Sequence, residues 1–257
     1  MDLDRTIAAL RAEPDATGFF LDFDGTLARV VPEPAAACIV PGGSHALEAL
    51  AARYRIVAMI SGRAASDLHS RVGADGPRYF GLYGAEEMHD SRLIQAPMAA
   101  EWRRGARRLA DEAGRFIEES GLDGCEVEYK DLAVSIHYRR RPELDPPAQL
   151  YGWAQRRAAQ LDFRVGVGRK VLELKPRSVS KAVAFERLAA QSLVRNAVVA
   201  GDDSADVEMM RAASGLIHGC LLRVGIVSSE SPEGMDDNTE LQVGSPEELV
   251  ALLRRFL

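Results

Sequence analysis

The chain has 257 residues and a formal net charge of −6, with 47% hydrophobic and 27% charged residues. This composition is typical of a water-soluble globular protein, and the length allows one large domain or two smaller ones. The acidic balance argues against nucleic acid as the main partner, because binding to a phosphate backbone relies on a basic surface. A small anionic ligand remains compatible with a local basic pocket.

The sequence has no recognisable membrane or secretory segment. No stretch approaches the roughly 18 to 20 consecutive apolar residues that cross a bilayer, and residues 1–5 lack signal-peptide character. Cys38, Cys125 and Cys220 are far apart and odd in number, so neither a disulfide framework nor a zinc site is predicted. We expect a cytoplasmic protein without a membrane partner, and the sequence is compatible with a monomer.

The first part of the chain alternates between helical and extended patterns. Residues 3–12 and 44–53 have the spacing of amphipathic helices, whereas residues 18–23 and 55–60 are apolar runs that indicate buried strands. Ser61-Gly62-Arg63 ends the second strand and leads into another helix. This βαβ order predicts a parallel sheet.

The middle of the chain has a different order. Its predicted elements are a strand, a long helix, two strands with a tight turn at Asp131, a helix and a strand, at residues 91–95, 97–119, 126–130, 133–138, 146–161 and 163–167. The order β-α-β-β-α-β is that of a split βαβ module, which predicts a small α/β domain inserted into the outer sheet.

After residues 170–174 the first pattern returns. A helix is predicted at residues 180–190 and a strand at 197–200, and Gly201-Asp202-Asp203 opens another helix. We therefore predict an α/β protein with a doubly wound parallel-sheet core. Its predicted domains are a core at residues 1–84 and 171–257 and a smaller α/β cap domain at residues 85–170.

Two aspartates stand where the first predicted strand ends. Asp is disfavoured in a buried strand, so Asp22 and Asp24 contradict their local context in the way that functional residues do. Side chains two residues apart share one face of a strand, and Gly25 lets the chain turn away. Such a pair can bind a hard cation and divide nucleophilic from acid/base work. A turn or a helix cap is the simpler alternative.

Further polar residues follow the other predicted strands. Ligands of an open α/β sheet bind beyond the carboxyl ends of its strands, so Ser61 and Asp202 are expected near the two aspartates, with Lys181 nearby at a helix start. Oxygen-only ligands favour magnesium, which in turn indicates a phosphate group. Taken singly, Asp202 and Asp203 could cap a helix and Lys181 could be a solvated lysine. Their joint occurrence favours one site.

These residues carry a resemblance to a known superfamily. Asp22-Phe23-Asp24-Gly25-Thr26, then Ser61, Lys181, and Gly201-Asp202-Asp203 with Asp206 resemble the four motifs of the haloacid-dehalogenase-like phosphatases, which have a Rossmann-like core. Within that superfamily, further segments are similar to the trehalose-6-phosphate phosphatase family. They are LDFDGTL at 21–27, SGR at 61–63, GLYGAE at 81–86, VEYK at 127–130, HYR at 137–139 and LELKP at 172–176.

The resemblance implies a Mg²⁺-dependent phosphatase that hydrolyses trehalose 6-phosphate through an aspartyl-phosphate. Asp22 would be the nucleophile and Asp24 the general acid and base, while Ser61 and Lys181 would hold the phosphoryl oxygens. Mg²⁺ would bind the Asp22 carboxylate, the Asp24 backbone carbonyl and Asp202. Asp203 and Asp206 would support these ligands from a second layer.

The resemblance also implies substrate-binding residues. These are Gly62, Arg63, Glu128, Lys130 and Glu173. Glu128 and Lys130 are two apart on a predicted strand, so they present an acceptor and a donor on one face. A cross-strand ion pair on a solvated sheet face explains them equally well.

The chain departs from the family pattern at several positions, among them Glu87 and Met88, which replace a polar or glycine pair, and other activities remain open. Ala205 and Val207 replace a hydroxyl and an acid in the last motif, and Ala182 replaces a glycine. The alternatives are a phosphatase for sucrose, mannosylglycerate or glucosylglycerol phosphate, a sugar phosphomutase, or a non-catalytic sugar-phosphate-binding module. The intact Asp22 and Lys181 argue against the last.

Overall fold

The computed structural model describes residues 2–89, 92–168, 170–228 and 231–257. Its strands are β1 (Thr17–Leu21), β2 (Ile56–Ile60), β3 (Arg78–Gly81), β4 (Glu86–His89), β5 (Arg92–Gln95), β6 (Glu126–Lys130), β7 (Ala133–His137), β8 (Phe163–Gly168), β9 (Val171–Pro176), β10 (Asn196–Gly201), β11 (Leu221–Ile226) and β12 (Leu241–Val243). Its α-helices are α1 (Leu3–Ala12), α2 (Gly43–Arg53), α3 (Ala65–Val72), α4 (Ala99–Glu119), α5 (Ala148–Gln160), α6 (Lys181–Ser192), α7 (Ser204–Leu216) and α8 (Pro246–Arg254).

The chain divides into two compact units. The large unit consists of Met1–Gln95 and Ser180–Leu257, and the small unit of Ala96–Val179. Each unit has a sheet and a hydrophobic core of its own. Among the helices of the described residues, none combines the length and the apolar character needed to cross a bilayer.

The large unit is built on an eight-stranded sheet in the order β12-β11-β10-β1-β2-β3-β4-β5. The strands from β12 to β3 pair in parallel, and β4 and β5 add an antiparallel hairpin at one edge. Helices α1, α2, α3 and α8 cover one face, and α6 and α7 cover the other. Because both faces are covered, β1 is buried throughout, with Phe19 and Leu21 in one core and Phe20 in the other. The predicted doubly wound parallel sheet is confirmed.

The small unit contains a four-stranded antiparallel sheet in the order β6-β7-β9-β8. Helices α4 and α5 pack on one face, where Leu109 meets Val134 and Ile136 in a common core. The long helix and the hairpin with its turn at Asp131 are confirmed, and Asp131 has a φ of 56°. The other face of this sheet carries the polar residues of alternate positions.

The boundaries of the small unit differ from the predicted ones. β9 pairs with β7 and β8 in the small sheet, whereas β5 pairs with β4 in the large one. The small unit therefore begins at Ala96 rather than at residue 85 and ends at Val179 rather than at residue 170. Apolar periodicity identifies a strand but not its neighbour, so both strands were assigned to the wrong sheet. Ser91, the first residue of one predicted strand, lies outside the described residues.

Candidate active site

Asp22 and Asp24 follow β1, which lies between β2 and β10 in the parallel sheet. The N–H of Asp22 donates to the Ala200 carbonyl at 3.0 Å, so the β-ladder extends to the first aspartate. Asp22 is only 3% exposed, whereas the Asp24 side chain is 44% exposed. Gly25 has a φ of 75°, and a Cβ at this position would lie 2.0 Å from Asp202 Oδ2. Only glycine therefore lets the loop after β1 pass so close to Asp202.

Lys181 is the first residue of α6 and lies among carboxylates. Its Nζ is 2.8 Å from Asp22 Oδ1, 2.9 Å from Asp206 Oδ1 and 3.6 Å from Asp203 Oδ1. Burial alone would lower the pKa of Lys181, but the three carboxylates raise it well above its ordinary value. The alternative of a solvated lysine is wrong, because the side chain is 2% exposed.

The Thr26 hydroxyl connects Asp22 with Asp202, the residue that follows β10. Its Oγ1 lies 3.3 Å from Asp22 Oδ2 and 3.1 Å from Asp202 Oδ1. Burial raises the pKa of Asp22, and burial together with the charge of Asp22 raises that of Asp202 to about 8. The two carboxylates are thus held close together in a poorly solvated place.

The carboxylates fit a hard divalent cation. Asp22, Asp202 and Asp206 offer oxygens within 4.8 Å of one another. Together with Asp203 there are more carboxylates than the single positive charge of Lys181 can balance, so a divalent cation would neutralise the excess negative charge. Carboxylate oxygens are also the ligands that suit Mg²⁺. Asp206 is already engaged, since its Oδ1 contacts Lys181 and its Oδ2 accepts the N–H groups of Asp202 and Asp203, each at 3.1 Å. Asp22 and Asp202 are therefore the carboxylates best placed to hold the ion.

Asp203 also caps α7, as the simpler alternative predicted, whereas the second residue of the cap is Asp206 rather than Asp202. Asp203 Oδ1 accepts from the Asp206 N–H at 2.9 Å, and Asp206 Oδ2 accepts from the Asp203 N–H, which completes a capping box. Burial opposes ionisation of Asp203, but Lys181 and hydrogen bonds from Asp206 lower its pKa to about 2. The two carboxylates that cap α7 are therefore also in contact with Lys181.

Ser61 and Gly62 follow β2, the strand beside β1. Ser61 is 2% exposed, and its Oγ accepts the Arg63 N–H at 3.2 Å. The guanidinium of Arg63 binds Asp24 through two hydrogen bonds of 2.7 Å and donates to Asp67 at 3.1 Å. Arg63 was predicted to bind substrate, but nearly all of its N–H groups are already directed at these carboxylates and at the Pro34 carbonyl.

Three of the predicted substrate-binding residues, Glu128, Lys130 and Glu173, lie in the small unit. Glu128 and Glu173 both pair with Ser135 in the sheet register, which places them on the face opposite the helices. Glu128 Oε2 is 2.8 Å from His137 Nε2 and 3.4 Å from Lys130 Nζ. The predicted ion pair exists, but it lies within β6 rather than across strands. Partial burial would raise the pKa of Glu128, but the hydrogen bond from His137 and the charge of Lys130 outweigh burial and lower it.

A cavity of about 540 Å³ adjoins this face, and it is lined by Glu128, His137 and Arg139, among others. Small-molecule pockets commonly have volumes of about 300 to 1,000 Å³, so the cavity is large enough for a ligand. Neither His137 nor Thr26 was predicted to be a site residue. The turn at Asp131 sets the hairpin register and makes His137 a diagonal neighbour of Glu128, so this contact could have been predicted. Thr26 stands inside the first motif, four residues after Asp22.

The model of the trehalose-phosphatase family matches residues 20–239 of the chain. The chain belongs to the trehalose-phosphatase family. Over 164 residues it is 37% identical to a trehalose-phosphate phosphatase of Mycobacterium tuberculosis, a match that covers 61% of this chain and 39% of that protein. An uncharacterized glycosyl hydrolase of the same organism is 39% identical over 158 residues, which are 61% of this chain and 12% of that protein. The chain thus matches well under half the length of these relatives.

Solved structures share the fold of this trehalose-phosphatase family member. A trehalose-6-phosphate phosphatase of Aspergillus fumigatus is similar with a TM-score of 0.74 and 21% identity, covering 100% of this chain and 97% of that chain. A sucrose-phosphatase of Synechocystis, solved with sucrose and phosphate, has a TM-score of 0.61 and 14% identity, covering 94% and 98% of the two chains.

The departures from the trehalose-phosphatase family pattern can be placed in the structure. Val207 is 3% exposed and belongs to the core under α7, and Ala205 is 9% exposed. The apolar Val207 therefore contributes to packing. Asp202 contacts Thr26, and Asp203 and Asp206 contact Lys181, in the presence of Val207.

Proposed function

We propose that this chain hydrolyses trehalose 6-phosphate to trehalose and inorganic phosphate, with Mg²⁺ as its metal and a phosphorylated aspartate as intermediate. The observation that carries the proposal is the buried contact of Asp22 Oδ1 with Lys181 Nζ at 2.8 Å, in a member of the trehalose-phosphatase family. A carboxylate beside a lysine at the carboxyl end of a parallel strand suits phosphoryl transfer.

Asp22 is the proposed nucleophile. One of its oxygens attacks phosphorus, the bond from phosphorus to the sugar oxygen breaks, and that oxygen leaves with the electron pair and takes a proton from Asp24. Water then attacks the phosphorus of the aspartyl-phosphate and gives a proton back to Asp24. Phosphate leaves, and the carboxylate of Asp22 is restored.

The transferring phosphoryl group needs positive charge and hydrogen-bond donors. Ser61 offers a hydroxyl and Lys181 an ammonium group, and Gly62 lies beside Ser61 in the same loop. Arg63 would act on the substrate through Asp24, which it holds by two hydrogen bonds of 2.7 Å. These bonds restrict the orientation of the proposed acid and base.

Asp22, Asp202 and the backbone carbonyl of Asp24 would hold the Mg²⁺ ion. When bound, the ion would neutralise charge on the carboxylates and on the phosphoryl group. Asp203 and Asp206 would not bind the ion directly, because their carboxylates contact Lys181 and cap the start of α7. They keep Lys181 charged next to the reacting group.

The small unit would recognise the sugar. Glu128 and Glu173 offer acceptors and Lys130 a donor on one open sheet face, which matches the alternating hydroxyl groups of a carbohydrate. The contact of His137 with Glu128 at 2.8 Å limits the directions in which that carboxylate can accept further hydrogen bonds.

Phosphate release from a panel of sugar phosphates tests the proposal. The panel contains trehalose 6-phosphate and the phosphates of sucrose, mannosylglycerate and glucosylglycerol, each with Mg²⁺ and with a chelator. We expect turnover of trehalose 6-phosphate at least tenfold above the others and its loss on chelation. Comparable rates on all substrates would contradict the substrate assignment, and full activity with the chelator would contradict the metal assignment.

A further inference from the structure

The segment GLYGAE at residues 81–86 has no role in the proposed chemistry, yet it is bonded to the residues that follow β2. The N–H of Tyr83 donates to the Ser61 carbonyl at 2.8 Å, and the N–H of Leu82 donates to the Arg63 carbonyl at 2.7 Å. The N–H of Ser61 in turn donates to the Phe80 carbonyl at 3.0 Å. The loop that presents Ser61 is thus held from one side by this segment.

Glu86 adds a side-chain bond to the same loop. Its carboxylate is buried, and its Oε2 accepts the N–H of Ala65, the first residue of α3, at 3.3 Å. The preceding residue Ala64 is the N-cap of α3 and has no capping side chain. Glu86 therefore supplies, from a neighbouring strand, the acceptor that a helix start requires. Its Oε1 accepts from Gln95 Nε2 at 3.0 Å.

The other side of the segment contacts the helix that begins with Lys181. The Gly84 carbonyl accepts a hydrogen bond of 2.9 Å from Arg187 Nη2, and Arg187 lies on α6. The turn at residues 82–84 also packs against α6. The segment thus contacts both elements that carry the proposed phosphate-binding side chains.

The backbone of the segment is strained. Leu82 and Tyr83 have φ values of 48° and 58°, in the left-handed region that side chains other than glycine rarely adopt. Such conformations persist where the surrounding contacts over-determine them, and they cluster at functional sites. The bonds to Ser61, Arg63 and Arg187 are contacts of this kind.

We propose that residues 81–86 are a positioning element that sets the Ser61 loop and the start of α6 relative to each other, with Glu86 and Arg187 as its positioning residues. Both proposed phosphate-binding groups, the Ser61 hydroxyl and the Lys181 ammonium, depend on this element for their separation. The inference rests on the proposed function in so far as Ser61 and Lys181 bind phosphate.

Binding of inorganic phosphate in the presence of Mg²⁺, measured by calorimetry, tests the inference without requiring turnover. The variants are Glu86→Gln, Arg187→Met and the double variant. In Glu86→Gln the negative charge is lost and only one of the two terminal atoms can still accept a hydrogen bond, so the charge-assisted contacts to Ala65 and Gln95 are weakened. We expect each single variant to weaken phosphate binding about tenfold, and the double variant by less than the product of the two, because both act through one element.

Glu240→Gln is the matched control. Glu240 also accepts a backbone N–H, that of Arg223 at 2.7 Å, together with a side-chain N–H, but beside β11, which β10 and β1 separate from the strand that precedes Ser61. We expect it to lower the melting temperature and leave phosphate binding within twofold of the wild type. The inference would be contradicted if Glu86→Gln and Arg187→Met left phosphate binding as unchanged as this control does. It would also be contradicted if the two effects on phosphate binding were fully additive in the double variant.

The outcomes separate the inference from the proposed function. A wild-type chain that hydrolyses none of the sugar phosphates but binds phosphate, with binding weakened in both variants, would overturn the proposed function and support the inference. A wild type that hydrolyses trehalose 6-phosphate, with variants that match its kcat and KM, would overturn the inference alone.

Discussion

Gly25 allows the loop that carries Asp24 to lie close to Asp202. Because a Cβ at this position would lie 2.0 Å from Asp202 Oδ2, Gly25→Ala must displace Asp202 or the loop. We expect Mg²⁺ binding to weaken by about tenfold or more and the free energy of unfolding to fall by about 1 to 2 kcal/mol from the left-handed backbone. Calorimetric titration of Mg²⁺ and thermal denaturation measure the two effects.

Gly73→Ala is the control for this experiment. Gly73 also has a left-handed backbone, with a φ of 60°, but a Cβ added there would meet no other described residue within 4 Å beyond its two chain neighbours. It should therefore lose stability by a similar amount without a change in Mg²⁺ affinity. Equal Mg²⁺ binding by Gly25→Ala and Gly73→Ala would show that the approach of Asp202 to the loop is unimportant.

Thr26 offers a second test at the same scale. Thr26→Val keeps the shape of a buried side chain and removes the hydroxyl that lies between Asp22 and Asp202. We expect kcat for the preferred phosphate ester to fall about tenfold with the fold retained, and Thr26→Ser to recover most of it. Wild-type activity in Thr26→Val would contradict a role for this hydroxyl in holding the two carboxylates.

The acidic residues of the site could be predicted because Asp is costly in a buried strand, so Asp22 and Asp202 stand out in the sequence. The contact of Arg63 with Asp24 could not. A long arginine side chain can reach several carboxylates, and the choice among them depends on tertiary distances that no local pattern contains. The role of Glu86 at the start of α3 depends likewise on the pairing of β3 with β4.

Glu112 of α4 forms an ion pair between the two helices of the small unit. Its carboxylate binds Arg157 of α5, with Nε at 2.8 Å, and Arg108 at 3.0 Å. Burial raises the pKa of Glu112, but these hydrogen bonds outweigh burial and lower it. A carboxylate with a lowered pKa in the folded state contributes stability that is present above its unfolded pKa of about 4.3 and is lost as the pH falls through the folded value.

We therefore expect the small unit to lose stability as the pH falls from about 5 to about 3, and Glu112→Gln to flatten this dependence. At pH 7 the variant should be less stable by about 1 kcal/mol. Both tryptophans of the chain, Trp102 and Trp153, lie in the small unit, so their fluorescence during urea unfolding reports on it.

Glu119→Gln, at an exposed position of the same helix, serves as the control and should follow the wild-type pH dependence. If Glu112→Gln lost stability as steeply as the wild type between pH 5 and pH 3, the ion pairs between α4 and α5 would not be the source of the effect.

At the scale of elements, apolar periodicity predicted most helices and strands near their observed bounds. It did not predict which strands β5 and β9 pair with. Leu172 and Leu174 of β9 alternate with polar residues, which suits a sheet covered on one face, and this pattern was a usable sign that β9 belongs to the antiparallel sheet. β5 is exposed along its length and offers no such sign.

At the scale of the whole molecule, the small unit is inserted between two parts of the large one. Residues 96–179 have a core of their own around Val134, Ile136 and Leu150. We expect this fragment, produced alone, to fold cooperatively with the circular dichroism of a mixed α/β protein. If the spectrum of the fragment were that of a disordered chain, the small unit would not fold independently, and its folding would require the large unit.

The order of strands and helices predicted the doubly wound core, because parallel strands must be connected by helices that cover the sheet. The sugar specificity was predicted only through family resemblance. Which hydroxyl groups Glu128, Lys130 and Glu173 would bind depends on side-chain directions set by tertiary contacts, such as that of Glu128 with His137.

The central claim is that Asp22 accepts the phosphoryl group, and trapping of the phosphorylated protein tests it most directly. Wild-type protein is mixed with trehalose 6-phosphate labelled in the phosphate, quenched in acid within a turnover, and treated with hydroxylamine. We expect protein-bound label that hydroxylamine releases, no label on Asp22→Asn, and a loss of turnover of about a thousandfold or more in that variant. Turnover by the wild type without bound label, or wild-type rates from Asp22→Asn, would contradict the claim.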